Sequence, residues 1–295
     1  MKLDPHYHSC WYGSVTLNIR INGGVILLFF SCGDFNLLRM ILMRFQVLLG
    51  IFTSIIVMSN VEAKNAEEIL DSFSGSGSMT MLTDYYLHGF SQTNNNPAIQ
   101  GSFRVDHKSG LYGQIFASNA NLGSSGSLEL NYMIGYQHKF NENFTTDLKY
   151  VKIRYPGLDV GELPTANFDV FAASLLISNI FNNNELLRFS NFYSPKYSFD
   201  SGKAASYEVN YTQPITDNLN FYAQYAYNKF SNKENYAKAF GNDEKDSYYD
   251  YRIGGNMSYN NFIFDLSYVN SNIAMAQNQI KLSESKVIFG ITKLF

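Results

Sequence analysis

Apolar and polar residues alternate along most of the chain. In one segment, for example, Leu128, Leu130 and Tyr132 alternate with Glu129 and Asn131. A period of two is typical of a β-strand that has one apolar face and one polar face. Twelve such segments lie at about 76–88, 97–107, 111–119, 127–139, 144–155, 167–179, 185–195, 203–213, 218–229, 247–259, 262–270 and 286–295. The pattern therefore predicts an all-β fold.

The lengths of the segments and of their links indicate a transmembrane β-barrel. Each segment has about 9–13 residues, which is what a tilted strand needs to cross a bilayer, whereas strands of soluble proteins average about 5–6 residues. The links alternate in length. The longer links are 89–96, 120–126, 156–166, 196–202, 230–246 and 271–285. The tight links are 108–110, 141–143, 180–184, 214–217 and 260–261.

Tight turns at one end and long loops at the other are typical of outer-membrane barrels. The fold predicted is thus a single antiparallel transmembrane β-barrel, most simply of 12 strands, with both termini on the periplasmic, tight-turn side. A secreted β-sandwich is the alternative, but it does not require such long strands. The pattern does not decide whether links 230–246 and 271–285 fold inward or extend outward.

The face of each strand that carries the charges should line the lumen, because the apolar face must meet lipid. The expected lumen-lining residues are Arg104, Asp106, Glu129, Asp147, Lys149, Asp169, Arg188, Glu208, Asp250, Arg252 and Asp265. With Lys139 added, the polar face has seven acids and five bases. This slight negative excess predicts neutral or weakly cation-preferring permeation of small polar solutes. The alternative is an ion-paired network that plugs the barrel.

Residues 43–63 have the layout of a secretory signal peptide. Arg44 supplies the positive charge, residues 45–58 form the apolar stretch, and Ala63 completes a small-residue cleavage site. The apolar stretch of 14 residues is shorter than the roughly 20 residues that a transmembrane helix needs. This comparison favours a cleaved signal over a membrane anchor.

The signal peptide divides the chain. Residues 64–75 are expected to form a short periplasmic tail and residues 76–295 the barrel. A signal peptide normally begins a protein, so residues 1–42 form an unexpected N-terminal extension. We predict that this extension reflects a misassigned start and that translation begins at Met40 or Met43.

The last predicted strand ends on an aromatic residue, Phe295. A closing strand with a terminal aromatic is what barrel-assembly machinery is expected to recognise. Phe289, Gly290, Ile291 and Phe295 are the candidate assembly signal. The machinery and outer-membrane lipid are therefore expected partners.

Composition excludes several classes of protein. Hydrophobic residues make up 45% of the chain, aromatic residues 16% and charged residues 16%, which argues against disorder. The net charge of −3 provides no basic surface for nucleic acid. The mean hydropathy of −0.17 argues against a bundle of transmembrane helices.

Motifs for catalysis, metals and cofactors are missing from the sequence. The histidines after the signal peptide are His88, His107 and His138, and they fall in different segments. We find no zinc motif, P-loop or nucleophile elbow, so we expect no catalytic residues, no metal and no cofactor. An outer-membrane lipase is one alternative, and it would need a serine–histidine pair on the outer face at bilayer depth. A non-conducting structural or adhesive barrel is the other.

Several runs of residues resemble a known family. The runs are 78–86, 88–93, 96–103, 107–113, 118–119, 155–157 and 292–295. Together they resemble the TorF-family porins, a conserved outer-membrane protein family of proteobacteria. This resemblance implies an outer-membrane β-barrel with channel activity, but it does not supply a substrate. The family usually has arginine where this chain has His88.

Overall fold

The computed structural model describes residues 14–21, 24–31, 70–122, 127–157, 166–181 and 184–295. The chain divides into two compact units, Met1–Glu68 and Ile69–Phe295. In the first unit, β1 (Ser14–Ile21) and β2 (Gly24–Ser31) pair as an antiparallel hairpin. The sequence pattern had indicated no regular element there. The predicted signal peptide, 43–63, lies outside the described residues.

The second unit is a closed antiparallel barrel. Its strands in chain order are β3 (Phe73–Leu82), β4 (Tyr86–Leu87), β5 (Phe90–Ser91), β6 (Ala98–His107), β7 (Leu111–Asn119), β8 (Leu128–Lys139), β9 (Phe144–Arg154), β10 (Phe168–Ser178), β11 (Leu186–Ser194), β12 (Ala204–Pro214), β13 (Leu219–Phe230), β14 (Ser247–Tyr259), β15 (Phe262–Ser271) and β16 (Lys286–Leu294). β4 and β5 pair with each other as a small separate sheet, and the other 12 strands form the barrel. The predicted fold class and strand number are confirmed.

The barrel closes between its first and last strands. β16 pairs antiparallel with β3, from Gly290 opposite Leu82 to Leu294 opposite Ser78. Beyond the strand, the N–H of Phe295 donates to the carbonyl of Gly77 at 2.9 Å. Closure gives every strand two neighbours, so the barrel has no free edge.

The predicted alternation of tight and long links is also present. The main difference lies in the first predicted segment, 76–88. β3 begins three residues earlier, at Phe73, and already ends at Leu82. The chain then leaves the sheet, because residues 83–97 bond to each other and to distant strands. We call this segment the inner loop.

The outer face of the barrel is apolar. Ile99, Phe103, Ile134 and Leu148 are each about half exposed or more, at 53%, 58%, 61% and 56%. Their neighbours one position along each strand point to the lumen, and Ala98 is only 1% exposed. Exposed apolar surface on this scale is far beyond what a soluble monomer presents and fits contact with hydrocarbon.

Two long links pack together at the long-loop end of the barrel. Residues 231–246 contain a helix, α1 (Lys233–Phe240), and residues 272–285 contain a short 3₁₀ helix. The side chain of Asn232 accepts a hydrogen bond from the Asn235 N–H at the start of α1. The helix ends at Gly241, which is in the left-handed conformation. We call these two links the cap. Both links turn inward, since Phe240 and Met275 pack on Phe230 and Tyr248, which face the lumen.

An aromatic core holds the cap in place. It comprises Phe230, Tyr236, Phe240, Tyr248, Ile273 and Met275, all buried. Phe90 of the inner loop adds an edge-to-face contact to Phe240, with 5.7 Å between the ring centroids. Within the described part of the chain, no helix has the length and apolar composition that a membrane-spanning helix needs.

Candidate functional site in the barrel lumen

Alternation along the strands places ten of the eleven predicted lumen residues on the inner face. Glu129, Asp147 and Asp250 are almost completely buried there, with 1%, 9% and 5% exposure. The others on this face are Arg104, Asp106, Lys149, Arg188, Glu208, Arg252 and Asp265. The inner face is thus lined with charges of both signs.

The prediction for Asp169 was wrong. Asp169 pairs with Lys152 across the sheet and shares the outer face with Phe171, which is 52% exposed. It forms an ion pair of 2.8 Å with Arg154 and accepts a hydrogen bond of 2.6 Å from Tyr150. The pattern misled us because β10 is largely apolar on both faces, so the single charge appeared to mark the polar side.

One cluster of charges lies in the tight-turn half of the lumen. The guanidinium of Arg104 bonds to Asp106 and stacks on the ring of Tyr112, 3.6 Å from its centroid. The hydroxyl of Tyr112 donates to Asp147 at 2.8 Å. The Tyr112 ring lies over Gly135, where a side chain would overlap it. A glycine on the inner face therefore makes room for the tyrosine.

A second cluster repeats this arrangement on another part of the wall. The hydroxyl of Tyr222 donates to Asp265 at 2.7 Å, and the tyrosine covers Gly254. Arg252 lies 3.8 Å from Asp265 and donates to Ser267 at 2.9 Å. Each cluster therefore combines an arginine, a tyrosine and a carboxylate, which suits the orientation of a polar solute.

The inner loop crosses the lumen at the long-loop end. On one side the hydroxyl of Tyr85 reaches Glu129 on β8, at 3.4 Å. On the other side the carbonyl of His88 accepts a 2.9 Å hydrogen bond from Tyr248 on β14. The ring of His88 meets Phe192 on β11, which is the strand opposite β3 in the barrel order. Contacts with three separated parts of the wall mean that the loop spans the opening.

A buried ion pair anchors the inner loop to the last strand. The ammonium of Lys286 lies 2.8 Å from the carboxylate of Asp84, and the two side chains are only 20% and 6% exposed. Ser91 and Thr93 donate to the same carboxylate, at 2.6 and 2.9 Å. Lys286 also contacts the side chain of Asn95. We call the Asp84–Lys286 pair the latch. The sequence pattern missed it because Lys286 lies in a mainly apolar strand.

Glu129 binds the inner loop from another part of the wall, on β8. Its carboxylate accepts hydrogen bonds from Asn131 at 2.7 Å and from Tyr155 at 3.2 Å, in addition to Tyr85. Burial, together with the Glu129 charge, raises the pKa of Tyr85 and of Tyr155 well above the usual tyrosine range. Both phenols therefore remain hydrogen-bond donors at physiological pH.

A chamber of about 280 Å³ lies beneath the inner loop and the cap. Its wall is mainly apolar and rich in aromatic rings, among them Phe168, Phe192, Tyr197, Phe230 and Tyr248. The rings contact each other edge-on or tilted, as Phe168 and Tyr197 do with 4.6 Å between centroids. The polar wall includes His88, Lys149, Ser194 and Ser206. Sequence reasoning did not find this chamber, because its wall combines residues of seven barrel strands with residues of several links.

The described residues contain a serine–histidine hydrogen bond at a tight turn. Nδ1 of His107 lies 2.8 Å from the hydroxyl of Ser109 and also accepts the Ser109 N–H. Ser109 is exposed and His107 is partly buried, and the contact closes the turn between β6 and β7. His138, on the outer face, stacks on the ring of Tyr136 and meets the ring of Phe140 edge-to-face. No group of three or more potential metal ligands occurs within the described ranges.

A family model matches residues 67–295, which cover the whole barrel. Its description is "Bacterial protein of unknown function (Gcw_chp)". The chain belongs to this family. No curated protein matches the Gcw_chp chain significantly. The resemblance of particular runs to the TorF-family porins remains a prediction, since the matching family has a different name.

Solved outer-membrane proteins resemble the Gcw_chp barrel. The KdgM porin is 9% identical, with 75% of this chain and 98% of that chain covered and a TM-score of 0.50. The NanC porin is 10% identical, with 75% and 98% covered and a TM-score of 0.48. LpxR from Salmonella typhimurium is 9% identical, with 75% and 99% covered and a TM-score of 0.44. At such identities the likeness concerns the fold and leaves function to the site.

Proposed function

We propose that this Gcw_chp protein is an outer-membrane channel for passive diffusion of small hydrophilic solutes, and that the inner loop controls its opening. The observation that carries the proposal is the contrast between the two faces of a closed barrel. Apolar side chains cover the outside, whereas arginine, lysine and carboxylate side chains line the inside. Such a barrel belongs in a membrane and encloses a polar path.

The size of the barrel fits a narrow path. Eight-stranded barrels are filled by side chains and 16-stranded porins have wide aqueous channels. Twelve strands lie between these limits. The two arginine–tyrosine–carboxylate clusters narrow the tight-turn half and present both charges to a solute. We infer that small polar molecules pass and that large ones do not.

The outer membrane is the proposed location, with assembly by the barrel-assembly machinery. The barrel likeness to the KdgM porin supports this location. In the candidate assembly signal, Phe289 and Ile291 lie on the outer face, and Phe295 is 74% exposed. These apolar groups are available to the machinery and to lipid. Cleavage near Ala63 would deliver the barrel to the periplasm.

The inner loop gives the non-conducting alternative a specific basis. Because the loop spans the opening, a barrel that never releases it would have a structural or adhesive role. Whether the latch can open decides between a channel and a permanently closed structural or adhesive barrel. Its ion pair joins one loop to one strand, so the loop can leave the wall if this pair and a few hydrogen bonds break. We further propose that the protein is not an enzyme.

Conductance of the folded protein in planar bilayers tests the proposal. Lys286→Met removes the cation of the latch and leaves Asp84 buried without its partner, which destabilises the closed loop by roughly 3–5 kcal/mol. We expect wild type to show brief, infrequent openings and the variant to stay open at least ten times as long. Lys152→Met is the matched control, since Lys152 lies on the outer face.

Folding of each variant is checked by heat-modifiable migration in gels. Equal open times for wild type and Lys286→Met would contradict control by the inner loop. Silence from both folded proteins would reject the channel function and favour the plugged structural barrel.

A further inference from the structure

The aromatic chamber contains polar atoms that the protein does not satisfy. Nδ1 of His88 and the hydroxyls of Ser194 and Ser206 are buried and have no hydrogen-bond partner among the described residues. Ser194 and Ser206 are 3% and 7% exposed. All three residues line the chamber. Burying a polar group without a hydrogen-bond partner lowers stability, so three such groups in one wall point to a ligand that supplies their bonds.

A free cation lies beside these groups. The ammonium of Lys149 projects towards the ring of Phe192, 5.9 Å from its centroid. Within the described ranges Lys149 forms no ion pair. Its charged neighbours are two carboxylates, Asp147 and Glu208, and two arginines, Arg188 and Arg104. The arginines balance the carboxylates, so the ammonium of Lys149 remains available to an anion.

The carboxylates around the chamber are already engaged. Glu129 accepts three hydrogen bonds from Tyr85, Asn131 and Tyr155. Asp250 accepts one from Asn228 at 2.7 Å. The groups left for a ligand are therefore one ammonium, one imidazole nitrogen and two hydroxyls, a set that favours a ligand with a single negative charge.

The aromatic residues of the wall indicate the shape of the uncharged part of the ligand. Phe168, Tyr197 and Phe230 form a continuous aromatic surface, in which Tyr197 and Phe230 meet edge-to-face with centroids 5.5 Å apart. Phe192 forms another side, and His88 packs against it. Aromatic walls of this kind favour a flat ring, and the volume of about 280 Å³ is sufficient for one ring with small substituents.

We propose that the chamber binds a single-ring aromatic carboxylate. The carboxylate meets Lys149, the ring lies between Phe192 and Tyr197, and a ring hydroxyl or the second carboxylate oxygen reaches the two serines. A sugar acid fits less well, because its several hydroxyls need more free partners than the wall offers. The inference deepens the proposed channel function, since the chamber lies on the path beneath the inner loop.

Isothermal titration of the full chain, folded in detergent micelles, tests the charge requirement without any mutation. The probes are 4-hydroxybenzoate and its neutral isostere 4-hydroxybenzamide. We expect the carboxylate to bind at least tenfold more tightly. Equal affinity for the two probes, or no binding of either, would overturn the proposal. So would tighter binding of glucuronate, which would indicate a sugar site.

Variants of Lys149 test whether its ammonium causes the preference for the carboxylate probe. Lys149→Met should remove the preference for 4-hydroxybenzoate over 4-hydroxybenzamide, whereas Lys149→Arg should retain it. Lys152→Met, on the outer face of the same strand, should bind like wild type. An unchanged preference in Lys149→Met would place the site elsewhere. Binding is measured apart from conductance, so a silent barrel that binds 4-hydroxybenzoate would reject the channel and keep the chamber.

Discussion

At the scale of single residues, two tyrosines organise the lumen charges. Tyr112 and Tyr222 each lie over a glycine and donate to a carboxylate across the sheet, at 2.8 and 2.7 Å. The glycines are on the inner face. A methyl group at Gly135 would overlap the Tyr112 ring, and one at Gly254 would lie 2.7 Å from the Tyr222 hydroxyl. The absence of a side chain at Gly135 and Gly254 therefore decides where Asp147 and Asp265 find their partners.

Gly135→Ala tests this arrangement. The added methyl group overlaps the Tyr112 ring, so the variant should lose roughly 1–3 kcal/mol of stability through overpacking. Gly113→Ala is the matched control, since its methyl group meets only the Met133 carbonyl, at 3.9 Å. Urea unfolding in micelles measures both. A Gly135→Ala barrel as stable as Gly113→Ala would show that the tyrosine does not need the glycine.

The stability of the cap should depend on pH in the alkaline range, because of Tyr236. Its hydroxyl accepts the N–H of Ala274 at 2.7 Å, and burial raises its pKa to about 12. The unfolded chain ionises this tyrosine near pH 10, so the stability that the neutral phenol contributes is complete below pH 10 and is lost as the pH rises towards 12.

Tyr236→Phe should therefore be less stable than wild type by about 1 kcal/mol at pH 8, because the Ala274 N–H loses its acceptor. The gap should shrink by up to about 1.4 kcal/mol for each pH unit between 10 and 12, so that it closes and then changes sign before pH 11.5. Urea unfolding at pH 8, 10 and 11.5 measures it. A gap that stays constant over this range would contradict the role given to the buried phenol.

At the scale of elements, the inner loop depends on an unusual backbone at its tip. His88 and Gly89 both have positive φ, at 46° and 88°. The Gly89 carbonyl accepts a hydrogen bond from Ser271 at 2.7 Å, and a Cβ at Gly89 would lie 2.9 Å from that of Ser271. Only glycine fits this close approach in the left-handed region.

Gly89→Ala should release the tip of the loop. An alanine in this conformation costs roughly 1–2 kcal/mol before the contact with Ser271 is counted. Hydrogen–deuterium exchange should quicken in residues 83–97 and stay unchanged in the barrel strands. Gly101→Ala, with a neighbour only at 3.9 Å, serves as the control. Equal protection of the loop in both variants would mean that the tip does not hold it.

At the scale of the whole molecule, the barrel could be predicted from the sequence because its signal is local. Period two, strand length and link length can each be read over about a dozen residues, and together they gave the correct strand number. Asp169 was assigned to the wrong face because both faces of its strand are apolar, so alternation carries no information there.

The inner loop and the chamber could not be predicted in the same way. The latch joins Asp84 to Lys286, which are 202 residues apart, and Tyr85 meets Glu129 across 44 residues. Contacts of this range leave no local pattern. The resemblance of residues 88–93 to a porin family pointed to this part of the chain, but it did not indicate that the segment turns inward.

The unitary conductance of a barrel without its inner loop tests most directly whether this loop closes a polar path through the lumen. Residues 85–95 are replaced by a short Gly/Ser linker, which leaves all 12 barrel strands intact. If the lumen is a polar path that the loop closes, the shortened barrel should show a stable open state of much higher conductance than wild type, with weak or no ion preference. A folded, inserted barrel that stays silent without the loop would contradict the account, since the wall itself would then block the path.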